Sequence, residues 1–290
     1  MATKIPLRKG LFWIIGSIFC TSIFGYFFTD VMLFLWDRQK NDPKYHIVKI
    51  IQTGPEREAL STLYLTELLG LSRDKPIAKS AFSISRAETK LLSSAVIEKA
   101  RVSLPSLGTI RVEYAARKPI AWLYDFTGIA VDETGTPFPL YPFYSPKILP
   151  EIYLGEWVPL IWNHRIENTK MVLALSLLEF LSSAPFELCR IDVGDAFHPS
   201  YGRRQIVLLI EEKKHMLFEG RQILLKRPRM IRLNTKEYKK EFQNYLLARE
   251  TLKWPKVFFE RSQDVYILPV EVFDFRIDGV GFIAGSAKAS

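Results

Sequence analysis

The feature that most constrains the fold of this chain is a run of eighteen residues without a charge, from Leu11 to Phe28. In a helix with a rise of about 1.5 Å per residue, this run is about 27 Å long, close to the ~30 Å hydrocarbon core of a bilayer. Beyond Asp30 the apolar character resumes as far as Trp36. The sequence therefore predicts a transmembrane anchor over residues 11–36, with residues 11–28 as its core, in contact with the lipid bilayer.

The charges on either side of this run indicate its orientation. Residues 1–10 contain three basic residues and no acidic one, whereas residues 30–44 contain three of each. Because positive flanks stay inside, we expect residues 1–10 in the cytoplasm and the bulk of the chain on the other side of the membrane. The alternative is a cleaved signal peptide, although the run is long for one and no A-x-A-like cleavage site closes it.

Composition narrows the classes of function. The chain has 290 residues, of which 48% are hydrophobic and 24% charged, enough for one large folded domain or two modest ones. Its two cysteines, Cys20 and Cys189, are too few for a disulfide framework. Between Ser200 and Glu260 there are fifteen Lys/Arg and seven Asp/Glu. Beyond a membrane no nucleic acid is available, so this stretch is either a solvated basic face or a surface for anionic lipids or wall polymers.

Residues that could carry catalysis or hold a metal are scattered. The four histidines lie in separate segments, and there is neither a His-Glu-x-x-His motif nor a pair of nearby cysteines. Ser72 and Lys75 match the Ser-x-x-Lys motif of penicillin-binding enzymes, but no Lys-Thr-Gly follows. The sequence therefore predicts no enzymatic activity, no metal, no cofactor and no small-molecule substrate.

A first block, residues 45–123, alternates between strand and helix patterns. Ser85 followed by Glu88 resembles a capping box that opens a helix. The predicted elements are a strand over 45–53, a helix over 56–71, a helix from Ser85 with an apolar face reaching Ala100, and strands over 101–104 and 110–114. A small sheet with two helices on one face can fold alone, and this order is also that of a POTRA domain.

A second block, residues 124–284, is richer in strands and aromatic residues, and a short tail of residues 285–290 follows it. The predicted elements are a helix over 169–182, a hairpin of strands 206–211 and 215–218 around residues 212–214, a helix over 235–252 capped by Asn234, and strands over 265–268 and 271–277. The overall expectation is an α+β protein with a membrane helix, a POTRA domain and a mixed, β-rich C-terminal domain.

Two groups of residues resemble a known family. The first comprises Ala100-Arg101-Val102 with Pro105, Ile110 to Glu113, Arg117-Lys118-Pro119-Ile120-Ala121-Trp122, and Val131-Asp132 with Gly135 and Phe138. It resembles the POTRA end and domain junction of the FtsQ/DivIB cell-division proteins. The second, Val272 to Gly279, is similar to the strand of those proteins that carries an Asp-x-Arg pair ahead of a glycine.

The resemblance implies a non-enzymatic, single-pass protein of the bacterial inner membrane that belongs to the divisome and acts at the division septum. In this family the POTRA domain contributes to localisation, and the periplasmic β-domain binds FtsB-like and FtsL-like small bitopic proteins, helping to control septal wall synthesis. The alternative is a membrane-anchored POTRA protein of secretion or envelope assembly, which would share only the first block.

The last predicted strand suits partner binding on physical grounds as well. A strand late in the chain can lie at a sheet edge, where unpaired N–H and C=O groups accept a partner strand. The predicted docking surface comprises Val272, Phe273, Asp274, Phe275, Arg276, Gly279 and Phe282. Alternation leaves open that the Phe residues face the core instead. Arg117 and Pro119 are expected at the domain junction, as a turn with a fixed φ rather than as a partner contact.

Overall fold

The computed structural model describes residues 7–218, 220–252, 254 and 264–284. It is a mixed α+β structure with an N-terminal apolar helix and a β-rich C-terminal region, as the sequence predicts. The chain divides into two compact units between Ala115 and Ala116, with Arg57–Ala59 belonging to the second.

The first helix, α1, spans Leu7–Asn41. Its segment Leu11–Arg38 is long and apolar enough to cross a membrane, and none of it is buried within the protein. Thr21 and Thr29 donate their hydroxyl hydrogens to carbonyls three or four residues earlier, which satisfies these polar groups within the helix itself. These properties agree with the predicted anchor over residues 11–36.

The rest of the first unit follows the order strand, helix, helix, strand, strand. Its elements are β1 (Lys49–Thr53), α2 (Thr62–Leu69), α3 (Ile84–Leu92), β2 (Ile97–Ser106) and β3 (Thr109–Ala116), with single 3-10 turns at Pro43–Tyr45 and Lys79–Ala81. The sheet order is β1-β3-β2, and β1 runs parallel to β3. Leu60, Leu65, Leu91, Ile110 and Val112 are fully buried and form the centre of this unit.

Helix α3 differs from its prediction in its cap and in its last residue. Its cap is Ser83, whose Oγ accepts a hydrogen bond from the N–H of Arg86, and not Ser85. Glu88 is not part of a capping box, because its Oε1 accepts a hydrogen bond from the N–H of Val102 at 2.9 Å. The helix also ends at Leu92, so Ala100 belongs to β2 rather than to a helical face.

The second unit is built on a ten-stranded sheet. Its elements are β4 (Ala121–Leu123), β5 (Ile129–Val131), β6 (Pro137–Pro139), β7 (Glu151–Tyr153), α4 (Thr169–Leu181), β8 (Glu187–Asp192), β9 (Ile206–Phe218), β10 (Arg221–Leu233), α5 (Tyr238–Thr251), β11 (Val265–Ile267), β12 (Glu271–Ile277) and β13 (Val280–Ala284). The strand order is β13-β12-β10-β9-β8-β7-β4-β5-β6, and β11 also pairs with β10. Residues 121–123, expected in the first block, therefore lie in this sheet, since β4 pairs with β5 and β7.

One face of this sheet carries the core. Apolar residues of the strands pack with Met171 and Leu177 of α4 and with Phe242 and Tyr245 of α5. A fully buried side chain of this size stabilises the fold by about 1.5–3 kcal/mol, so the two helices hold the sheet on that side. Helix α4 begins after the cap Asn168, close to the predicted bounds.

Two predicted features of this unit are wrong. Residues 212–214 do not form a turn, because β9 runs unbroken through them and the hairpin to β10 closes near Gly220, whose φ is 79°. Glu212 is buried, and its charge is matched by Arg229 of β10, 3.0 Å away, and by Arg249 of α5. Helix α5 begins at Tyr238 rather than at Thr235, and the side chain of Asn234 instead accepts a hydrogen bond from the N–H of Lys236.

Candidate functional site

The hairpin of β12 and β13 ends the sheet. Its strands pair antiparallel, with Phe273 opposite Ile283 and Asp274 opposite Phe282. The turn contains Gly279, which has a φ of 74°. All five residues of β13 are exposed, and in the described part of the chain no strand pairs with its outer side. At this end of the sheet β13 is therefore the edge strand, and β12 lies one position inside it.

The aromatic residues of β12 lie beneath this edge. Phe273 is fully buried and Phe275 is 7% exposed, and both rings pack edge-on against Tyr245 of α5, with centroids 5.4 and 6.3 Å away. Phe273 and Phe275 therefore belong to the core and not to the predicted docking surface. This is the alternative that the alternating pattern left open. The ring of Phe275 also covers Gly281, where an added Cβ would lie 2.6 Å from the ring.

A buried ionic network fixes β12 to β10. Arg229, only 1% exposed, donates to Glu271 at 3.2 Å, to Glu212 at 3.0 Å and to the hydroxyl of Tyr245 at 3.0 Å. Arg227 donates twice to Glu271, at 2.8 and 3.0 Å. Such paired and hydrogen-bonded charges are tolerated in a core, whereas a single member left alone is costly. The network therefore holds the inner strand of the hairpin in one register.

On the opposite face of β12, the Asp-x-Arg pair forms a second cluster. Arg276 donates to Asp274 at 2.9 and 2.7 Å and to the carbonyl of Gly202 at 3.0 Å, and Arg232 pairs with the same carboxylate at 3.2 Å. Burial alone would raise the pKa of Asp274, but the hydrogen bonds from Arg276 and the charge of Arg232 outweigh it and lower this pKa. The pair thus anchors β12 to the loop at Gly202.

The remaining residues of the predicted docking surface lie in three different places. Val272 is half-buried on the same face as Asp274, and Gly279 provides the turn. Phe282 is 56% exposed on β13. The strand β13 itself was missed, although Asp278-Gly279 ahead of an apolar run is a recognised hairpin signal.

The predicted junction residue Arg117 lies at the start of the second unit. Its Nη1 donates to Asp132 at 2.9 Å, and Asp132 also accepts hydrogen bonds from the N–H groups of Thr134 and Thr136. Pro119 precedes β4, whose neighbour Ile120 donates to the carbonyl of Val131. These contacts connect the segment around Arg117 to the segment around Asp132. Arg117 therefore has a structural role within the second unit.

Eight of the fifteen basic residues between Ser200 and Glu260 form ion pairs in the described part of the chain. They are Lys213, Arg221, Lys226, Arg227, Arg229, Arg232, Lys240 and Arg249. Their acidic partners lie on the strands of the same sheet, except for Asp264 just before β11 and Asp278 in the turn between β12 and β13. Because these charges are matched within the fold, the stretch is not a free cationic surface of the size that composition suggests.

Two residues with possible catalytic chemistry, Ser72 and Cys189, have the following surroundings. The Oγ of Ser72 accepts a hydrogen bond from the N–H of Asp74 at 3.2 Å. The Cys189 thiol is half-buried, and burial, followed by the charges of Glu211 and Glu187, raises its pKa. Among the described residues there is no group of three or more His, Cys, Asp or Glu side chains that could hold a metal ion.

No protein-family model and no curated protein matches the chain.

Proposed function

We propose that the protein is a membrane-anchored scaffold of the bacterial divisome, similar to the FtsQ/DivIB proteins, and that it binds small bitopic partners of the FtsB and FtsL kind. The observation that carries this proposal is the exposed edge strand β13, presented by an inner strand that a buried ionic network and an aromatic cluster hold in place. A rigid edge of this kind suits the addition of a partner strand, since little order has to be acquired on binding.

The side chains around this edge indicate what a partner strand would contact. Val280, Phe282 and Ala284 alternate along one face of β13, and Gly281 and Ile283 along the other. Phe282 and Ile283 are 56% and 47% exposed. Backbone hydrogen bonds would supply affinity, and apolar partner side chains beside these two residues would supply specificity.

Two further features support the proposal. The order strand, helix, helix, strand, strand of the first unit is that of a POTRA module. The three basic residues ahead of the uncharged run that begins at Leu11 favour a cytoplasmic N-terminus and an exported position for the rest of the chain, as an inner-membrane division protein at the septum requires. A secretion or envelope-assembly protein would share both features, and its partners would be expected at the first unit instead.

Site-specific photo-crosslinking in living cells tests the proposal. The probe is placed in turn at each position from Val280 to Ala284, with exposed Leu217 of β9 as the control. Capture of one small bitopic division protein from β13 but not from Leu217 is the expected result. Capture of secretion components by probes in residues 45–115, with none from β13, would overturn it in favour of the secretion alternative.

A further inference from the structure

A loop that the proposed function does not use carries a cluster of exposed apolar side chains. It follows β7 and contains Trp157 to Trp162, here named the tryptophan loop. Trp157 is 80% exposed, Ile161 59% and Trp162 46%, and Pro159 is exposed as well. Single exposed apolar residues are common, but four within six positions form a patch of the kind that marks an interaction surface.

The loop is attached firmly to the second unit. Val158 and Leu160 pack against its core, so alternate residues face inward and the others project. At one end, Glu156 accepts a hydrogen bond from the Asn168 side chain at 2.6 Å and pairs with Lys170 at 3.2 Å. At the other end, the side chain of Asn163 accepts from Arg117 at 3.3 Å. The projecting residues are therefore fixed in position by contacts of the loop with the rest of the second unit.

The projecting side chains suit the boundary between lipid and water. Tryptophan is enriched there because its ring is apolar while its N–H still finds a polar partner. Within the described part of the chain, neither indole N–H of this loop donates a hydrogen bond to the protein. Ile161 lies between them in exposure and adds a purely aliphatic contact.

Charge and tethering point to the same occupant. The charged residues that flank the loop are Glu156, Arg165, Glu167 and Lys170, two acidic and two basic, so attraction by net charge is not the basis of recognition. The same chain carries α1, which is long and apolar enough to span a bilayer. A tethered domain meets the bilayer at high effective concentration, so weak insertion by a few side chains suffices.

We propose that the tryptophan loop inserts Trp157, Ile161 and Trp162 into the interfacial layer of the same bilayer that α1 spans. The inference rests on membrane anchoring by α1 and is independent of the divisome proposal. It gives the second unit a second, uncharged attachment to the membrane.

Depth-dependent quenching tests this inference on the full chain in phosphatidylcholine vesicles. In a Cys20→Ser, Cys189→Ser background, an environment-sensitive fluorophore is attached through Ile161→Cys or, as a control, through Tyr201→Cys, which replaces a residue 69% exposed in another loop of the same unit. We expect spin-labelled lipids to quench the Ile161 probe several-fold more than the Tyr201 probe, and aqueous iodide to show the reverse preference. Raising the salt to about 0.5 M should leave this difference unchanged, because that concentration screens charge and not apolar contact.

A second variant separates insertion from mere proximity. Replacing both Trp157 and Trp162 by Ser should reduce lipid quenching at position 161 several-fold while vesicle flotation of the chain stays the same. Equal iodide access at both probe positions, or lipid quenching that survives the double substitution, would overturn the proposal. Failure of the chain to float with vesicles would remove its basis, and cellular capture of a protein at position 161 without lipid quenching would assign the loop to a protein partner.

Discussion

At the scale of single residues, Arg229 shows how a charged side chain is accommodated in the core. It is 1% exposed, bonded to two carboxylates and a phenol, and its guanidinium lies 5.3 Å from the centre of the Phe273 ring. The net attraction within such a buried ion pair adds little to the stability of the fold. Removing the side chain is nevertheless costly, because its partners would remain as buried charges. The position of Arg229 links Glu271 of the inner hairpin strand to Glu212 of β9 and Tyr245 of α5.

Replacing Arg229 by Met should therefore destabilise the second unit by roughly 3–5 kcal/mol, because Glu212 and Glu271 would keep buried charges without their shared cation. Thermal unfolding of the detergent-solubilised chain measures the effect. The control is Arg203→Met in an exposed loop, which should change stability by less than about 0.5 kcal/mol. Equal melting temperatures for the two variants would contradict the role given to the network.

Glu241 of α5 predicts a dependence on pH. It is 4% exposed, and burial, opposed by the hydrogen bond from the N–H of Asn234, raises its pKa. An acid whose pKa is raised in the folded state binds more protons folded than unfolded, so its contribution to stability falls as pH rises through the folded pKa. Above the folded pKa of Glu241 the wild-type protein carries this penalty in full.

Replacing Glu241 by Gln should remove that penalty. At pH 7 the variant is expected to melt at the same temperature as the wild type or higher, and the difference should shrink towards pH 4.5 as the wild-type carboxyl takes up its proton. Melting curves over this range check the prediction, with Glu250→Gln at an exposed position of the same helix as the control. A variant that is less stable at pH 7, with the gap closing at higher pH, would reverse the sign of the argument.

At the scale of elements, the cap of α3 is a local feature that can be tested directly. Ser83, and not Ser85, accepts a hydrogen bond from a first-turn N–H group. The Ser83→Ala substitution should cost about 1 kcal/mol, equivalent to about fivefold faster amide exchange in α3, whereas Ser85→Ala should cost little. Hydrogen exchange followed by mass spectrometry distinguishes the two variants. Faster exchange for Ser85→Ala alone would restore the capping box that the sequence suggested.

The hairpin of β12 and β13 is the element on which the proposed function depends. The Gly281→Val substitution places a side chain against the Phe275 ring, and overpacking of this kind costs about 1–3 kcal/mol. We expect β13 to shift from β12 and partner crosslinking at position 282 to fall several-fold. The control Gly202→Ala meets no atom within 4 Å and should leave crosslinking unchanged. Undiminished capture in the Gly281 variant would argue against β13 as the docking strand.

At the scale of the whole molecule, the proposed exported position of the second unit can be tested directly. Within the described residues, α1 is the helix that is long and apolar enough to span a membrane, and basic residues at its N-terminal end favour a cytoplasmic N-terminus. In a Cys189→Ser background, a cysteine replacing the exposed Tyr144 should react with a membrane-impermeant maleimide added to spheroplasts, at a level close to that after lysis. Reaction only after lysis would place the second unit in the cytoplasm and exclude both the divisome and the secretion proposals.

Much of this architecture was predictable from the sequence because the signals are local. An uncharged run of about one bilayer thickness indicates a spanning helix whatever follows it, and the α4 pattern and the alternation of β12 depend only on neighbouring residues. The predicted bounds of these elements agree closely with the structure. The Asp278-Gly279 turn was equally local and could have revealed β13.

What only the tertiary structure decided depends on residues far apart in the chain. Glu212 reads as a turn residue until Arg229, on the next strand, and Arg249 of α5 neutralise it. Phe273 could face either way until Tyr245 of α5 packs on it. The sequence by itself determined the helix α4, the strand β12 and an N-terminal helix long and apolar enough to span a membrane, since periodicity is a property of neighbouring residues. Long-range strand pairing decided which of them is the edge and which side chains reach it, because a charge or an aromatic ring acquires its environment only from its partners.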